Sequence, residues 1–82
     1  MNTDEIYSIV KKYLIEDFEV PEEKISPEAN LFEDLELDSI DALDMIAILE
    51  SEIEMGVNEE ELKRILTVKD IVNYILKNLT RK

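Results

Sequence analysis

Ser39 lies between two acids, Asp38 and Asp41, where an irregular stretch gives way to an apolar, helix-periodic one. These residue types in this spacing admit two readings. In the first, Asp38 is an N-cap, Asp41 stands where a capping-box acid belongs, and serine is simply common near helix starts. In the second, the Ser39 hydroxyl is the chemical group of the chain. It cannot be a self-activated nucleophile, because that requires an adjacent base. The chain holds no His, and ionised aspartates are weak bases near neutral pH. What is left is a hydroxyl at a helix start that other enzymes act upon. A phosphodiester placed there would lie beside the helix N-terminal amides, which favour negative charge.

Other chemistries lack their parts. With no Cys and a single Gly, disulfides, thiolate metal sites and Gly-rich phosphate loops are all excluded. Zinc loses both of its preferred ligand types. Carboxylate pairs are plentiful, but a small helical domain offers little cleft in which to desolvate a substrate. Calcium has the best case, since Asp34, Glu36, Asp38, Asp41 and Asp44 crowd one segment. An EF-hand, however, needs acids at alternate loop positions, Gly at the sixth and Glu at the twelfth. Here Leu35, Leu37 and Ile40 interrupt the acids, and no Gly lies between Glu19 and Met55. Weak divalent binding to an acidic face is the expectation, with neither a dedicated metal site nor an enzyme activity.

Charge then narrows the partner. The formal net charge is −12, from 21 acids against 9 bases. Nucleic acid and anionic membranes would be repelled, whereas a basic protein surface would be steered in. Between Lys24 and Lys63 there is no Lys or Arg, and thirteen acids fall in that interval. The opening Met1-Asn2-Thr3-Asp4-Glu5 is acidic where a signal or transit peptide would be basic, and the longest apolar run, Met45 to Leu49, is far short of a membrane span. A soluble, cytoplasmic monomer is expected.

The elements that must position Ser39 are helical. A chain of 82 residues has room for one domain, 1–82, and one Gly with two Pro leaves few places to turn. Ile6, Ile9, Val10, Tyr13, Leu14 and Phe18 form an apolar stripe, predicting a first helix that Thr3 or Asp4 opens and Val20-Pro21 ends. A long connection with apolar anchors Ile25, Leu31, Phe32, Leu35 and Leu37 follows, with a turn at Ser26-Pro27. Connections of this length tend to be functional, and this one delivers Ser39. The second helix is expected over roughly Ser39 to Glu54. Ala42, Met45, Ile46, Leu49 and Ile53 share its core face. Ile40, Leu43 and Ala47 lie opposite, among Asp44, Glu50, Ser51 and Glu54. That outer face is either a docking surface with an apolar centre and charged rim or a set of scattered exposed residues without purpose. Gly56 reads as a left-handed C-cap. Asn58-Glu59-Glu60-Glu61 starts a short helix through Leu62, Ile65 and Leu66. Thr67-Val68-Lys69-Asp70 starts a last one with Ile71, Val72, Ile75, Leu76 and Leu79 on its stripe. The fold class is all-α: a four-helix bundle of three longer helices and one short one.

Three stretches, in order, resemble the acyl carrier protein family. Leu31-Phe32-Glu33-Asp34-Leu35-Glu36-Leu37-Asp38-Ser39-Ile40-Asp41 is similar to the family's Phe/Leu-x-x-Asp-Leu-Gly-x loop and Asp-Ser-Leu motif. Leu49-Glu50-Ser51-Glu52-Ile53 resembles its Leu-Glu-x-x-Phe helix end. Ile65-Leu66-Thr67-Val68-Lys69-Asp70-Ile71-Val72-Asn73-Tyr74-Ile75 resembles the start of its last helix.

The resemblance implies that Ser39 bears 4′-phosphopantetheine, transferred from coenzyme A by a phosphopantetheinyl transferase. The thiol of that arm would carry acyl groups as thioesters to fatty-acid, lipid or polyketide biosynthetic enzymes, including synthases and acyltransferases. Asp38 and Asp41 would present Ser39 to the transferase. Asp44, Glu50 and Glu54 would meet basic patches on other enzymes, with Ile40, Leu43 and Ala47 as apolar docking contacts. Met45, Ile46, Leu49, Val57, Leu62, Ile65, Ile71 and Tyr74 would wall an acyl pocket, or simply form core. Departures from the pattern are Ile40 for Leu, Glu36 where Gly is common, and Leu62 and Ile71 where Ala is frequent, which would narrow the pocket. The competing account is an acidic helical adaptor that binds a basic partner without a prosthetic group.

Crowded acids repel one another, so thermal stability near neutral pH is expected to rise on adding salt or a divalent cation. A melting temperature unchanged from low to moderate ionic strength would contradict this.

Overall fold

A computed structural model gives the structure of residues 2–56 and 59–79, with the backbone alone for Glu59. It contains α1 (Thr3–Glu16), a 3₁₀ turn (Glu22–Lys24), α2 (Ser39–Glu52), α3 (Glu59–Leu62) and α4 (Val68–Asn78). The described residues form no extended strand, only isolated bridges pairing Asn30 with Thr67 and Met55 with Leu79. The architecture is the all-helical one that the periodicity predicts.

Each of the three longer helices starts on a capping box. In α1, Asn2 accepts from the Glu5 amide and Glu5 from the Asn2 amide, both at 2.9 Å. Asp38 and Asp41 do the same for α2, and Thr67 and Asp70 for α4. Such caps are worth about 1 kcal/mol each. Asn2, not Thr3 or Asp4, is the N-cap of α1.

The ends of α1 and α2 differ from the sequence expectation. α1 stops at Glu16, before Pro21 is reached. Glu19 adopts a left-handed φ of 56°, and the Val20 amide donates to Leu14 O at 3.0 Å. The chain folds back there because Val20 is buried under the helix end. α2 stops at Glu52 on an extended C-cap, Ile53, whose side chain is buried. Gly56 is not a left-handed cap, since no glycine has positive φ among the described residues. Its amide instead donates to Asn78 O, tying the exit of α2 to the end of α4. Asn58 lies outside the described residues, and α3 ends at Leu62, short of Ile65 and Leu66.

The core is a seam between α1 and α4, with α2 laid against it. Ile6, Val10 and Leu14 of α1, Val68 and Ile75 of α4, and Met45 and Leu49 of α2 are wholly buried. Fully burying each such side chain is worth about 1.5–3 kcal/mol. α1 packs chiefly on α4 and less on α2. Tyr13 links α1 to the end of α2: the Glu52 carboxylate beside its hydroxyl, partial burial and nearby acids push its pKa up to about 12.

The connection of residues 17–38 is pinned at both of its faces. Val20, Ile25, Ala29, Leu31, Leu35 and Leu37 are buried in the core. Its backbone pairs with the start of α4: Leu31 N–H donates to Leu66 O at 2.8 Å, Val68 N–H to Ala29 O at 3.1 Å and Lys69 N–H to Pro27 O at 2.8 Å. Asn30 shapes the turn that follows, its Oδ1 accepting from the Phe32 and Glu33 amides at 2.9 Å.

α3 is too short to stand alone and is tethered to α4 through Glu61. The Glu61 carboxylate meets Lys77 Nζ at 2.6 Å and accepts from Asn78 Nδ2 at 3.1 Å. Those hydrogen bonds, Lys77 first and then Asn78, hold its pKa below the ordinary carboxylate value. A carboxylate with a folded pKa below the unfolded one (about 4.3) contributes stability that is full above that value. The contribution is lost as pH falls through the folded value. Glu61→Gln removes it, so the stability gap between wild type and Glu61→Gln should shrink from about pH 6 to about pH 3. A gap that stays constant on urea titration across that range would show that the contribution does not depend on the charge of Glu61.

Candidate functional site

The local hydrogen bonding shows which residues cap α2. Asp41 N–H donates to Asp38 Oδ1 at 2.8 Å, and Asp38 N–H donates to Asp41 Oδ2 at 3.2 Å. The capping box is complete without Ser39. Ser39 is the first residue of α2, its side chain exposed, and its hydroxyl has no hydrogen-bond partner among the described residues.

Ser39 opens onto a cavity of about 470 Å³ between α2 and the segment that joins α3 to α4. Its walls are Phe32, Ala42, Leu43, Ile46, Leu62, Ile65, Leu66 and Ile71, with Ser39 and Lys63 as the polar members. This is within the range of small-ligand pockets, ~300–1,000 Å³. Of the four serines in the chain, Ser39 alone lines it. Ser51 turns back to bond Ile48 O at 2.7 Å.

Not all residues read as pocket wall lie on the cavity. Ile46, Leu62, Ile65 and Ile71 line it. Met45 and Leu49 are wholly buried in the core behind it. Tyr74 lines a second depression, about 260 Å³, with Glu61, Arg64, Asp70 and Lys77. Val57 lies outside the described residues. Phe32, Ala42, Leu43 and Leu66 were not among the residues read as pocket from the sequence. Phe32 and Leu66 sit on irregular segments where no period marks a face. The adjacent apolar pair Ile65-Leu66 was the available signal, since only one of the two can turn inward: Ile65 is buried and Leu66 is 51% exposed.

The outer face of α2 is apolar at its centre and acidic around it. Ile40 is 67% and Leu43 57% exposed, and Ala47, Asp44, Glu54 and Asp38 are exposed beside them, with Asp41 and Glu50 half-buried. None of these acids is in an ion pair among the described residues, whose three pairs are Lys11–Glu22, Lys24–Glu36 and Lys77–Glu61. No group of three carboxylates among the described residues is arranged to hold a metal ion, and no described helix is long and apolar enough to cross a membrane.

A family model described as a phosphopantetheine attachment site matches residues 8–75. An acyl carrier protein of Thermotoga maritima is 42% identical over 76 residues, covering 93% of this chain and 94% of the relative. The chain belongs to the acyl carrier protein family. A solved structure of an acyl carrier protein from Enterococcus faecalis agrees with a TM-score of 0.77 at 28% identity, over 95% of this chain and 99% of that one. Acyl carrier proteins are carriers and not enzymes. They hold acyl groups on a covalent 4′-phosphopantetheine arm, installed by a transferase, for the enzymes of fatty-acid biosynthesis and related pathways. The adaptor without a prosthetic group gives way to this reading. The residues around Ser39 fit such an arm: an uncommitted, exposed hydroxyl at a helix N-terminus, beside an apolar cavity open to solvent.

Glu36, where the family commonly has Gly, adopts a left-handed φ of 60°. That conformation costs a non-glycine residue about 1–2 kcal/mol, against about 0.5–1 kcal/mol for the extra unfolded-state freedom of Gly. The ion pair from Lys24 to Glu36, 3.7 Å at the surface, offsets little. Glu36→Gly should therefore stabilise the protein by about 0.5–1 kcal/mol. A lower urea midpoint in the variant would refute this.

Proposed function

We propose that Ser39 is the residue that bears the arm and that residues 1–82 work as one carrier domain. The observation that carries this reading is the division of labour at the start of α2. Asp38 and Asp41 cap the helix between themselves, and Ser39 is the serine left uncommitted at the mouth of the apolar cavity. Activation of the hydroxyl falls to the transferase, since nothing beside Ser39 is a competent base. The arm's thiol supplies the thioester chemistry that a chain without Cys lacks.

The cavity is the place for an apolar acyl chain, with Phe32, Ile46, Leu62, Ile65 and Ile71 as its wall and Met45 and Leu49 packed behind. Asp38 and Asp41 present Ser39 to the transferase. Ile40, Leu43 and Ala47 are the apolar centre against which partner enzymes dock. Asp44, Glu50 and Glu54 take up Lys and Arg of their basic patches. Unpaired acids beside exposed apolar side chains support that assignment, because a solvated face has no use for the latter. The same acidic surface repels a second copy of itself and anionic membranes, which supports a monomer diffusing in the cytoplasm.

Intact mass after incubation with coenzyme A and a broad-specificity phosphopantetheinyl transferase tests the attachment. Wild type should gain one phosphopantetheine and Ser39→Ala none. The variant keeps its helical circular dichroism, because the cap does not use the serine. A gain in Ser39→Ala, or none in folded wild type with several transferases, would overturn the assignment.

A further inference from the structure

An arm on Ser39 raises an electrostatic difficulty. Its phosphodiester is an anion set between Asp38 and Asp41, in a chain already at −12. Those two carboxylates are bound by each other's backbone amides, which leaves their charges in place. The N-terminal dipole of α2 offsets part of the repulsion. With nothing more, like charges drive the phosphate, and the arm behind it, out into water and away from the cavity.

One cation lines the cavity that Ser39 opens onto. Lys63, in the turn after α3, is exposed and is the sole charged residue of the lining. The ion pairs among the described residues use Lys11, Lys24 and Lys77 instead. Its neighbour Arg64 lines the separate depression with Glu61 and Asp70, so two consecutive cations serve two different clefts. A lysine suits the position, because its stem can lie along apolar wall while its ammonium stays at the wet rim.

We propose that Lys63 is a positioning residue whose ammonium pairs with the phosphodiester on Ser39 across the cavity mouth and turns the arm towards the apolar interior. The proposal rests on attachment at Ser39. Lys63 thereby sets how much of its time the loaded thioester spends sheltered from solvent.

The test uses wild type, Lys63→Gln, Lys63→Met and Lys63→Arg, each converted to the arm-bearing form and loaded with a medium-chain acyl group. Two readouts are the ³¹P resonance of the phosphodiester over a salt titration and the rate of thioester cleavage by hydroxylamine. In Lys63→Gln and Lys63→Met the resonance should move and its salt dependence should differ from that of wild type, and cleavage should quicken about two- to fivefold, the range an exposed ion pair supports. Lys63→Arg should restore both. Identical resonances and rates in wild type and Lys63→Gln overturn the proposal, as does Lys63→Arg behaving like Lys63→Gln. A wild-type sample with no phosphodiester resonance after transferase treatment overturns attachment at Ser39 as well, which separates the two failures.

Discussion

The first turn of α4 carries amides that have no partner inside their own helix, and their satisfaction fixes the site. Val68 and Lys69 donate to Ala29 and Pro27, Asp70 donates to Thr67 Oγ1, and Leu31 returns a bond to Leu66 O. A buried amide left unpaired costs a free energy comparable to a lost hydrogen bond, so the loop cannot leave α4 without exposing these groups. Ala29 and Leu31 are buried at the junction, which also resists a slip in register. Phe32 on the loop and Ile65 and Leu66 before α4 are thereby set facing one another. The cavity they line follows from capping one helix with the approach to another.

That arrangement lets α2 keep an outer face that does little for stability. The α1–α4 seam supplies the main helix packing, and α2 adds one buried face. Its other face holds Ile40 and Leu43 in solvent among carboxylates. The last turn of α2 has no basic residue, although the helix dipole favours cations there. Glu50 and Glu52 stand in their place, with the Tyr13 hydroxyl beside Glu52. A face shaped for stability alone would have placed lysines at that end. Acids placed there at some cost fit the docking role proposed for this face.

Where the fold was legible in the sequence, the determinant was local. The starts of α2 and α4 are written as capping boxes within four residues, so Asp38 and Thr67 could be read directly. At α1 the neighbouring Thr3 and Asp4 are also good caps and hid Asn2. Helix ends were set by distant partners. Phe18 extends the α1 stripe by one more step, yet the burial of Val20 and the bond to Leu14 O end the helix earlier. Gly56 looks like a left-handed cap, but its amide is claimed by Asn78, twenty-two residues on. At the cavity, a 100° wheel distinguishes core from solvent and has no means of separating core from cavity wall. Ile46 and the fully buried Met45 and Leu49 therefore read alike.

Separating the cap from the hydroxyl has a consequence for an arm borne at Ser39. Had Ser39 been the N-cap, its oxygen would accept the N3 amide. Esterification would then compete with a bond worth about 1 kcal/mol at the very start of α2. With Asp38 and Asp41 closing the box, the helix start is the same with the hydroxyl free or esterified. The added phosphodiester falls where the helix dipole welcomes negative charge, so loading does not weaken the element that displays it. The penalty arises from Asp38 and Asp41 themselves, which the box brings close to any anion on Ser39. The pairing proposed for Lys63, which lines the cavity that Ser39 opens onto, would relieve that repulsion without entering the cap. Since α3 is held to the far end of α4 by Glu61, the position of that cation is linked to the same helix whose start fixes the loop.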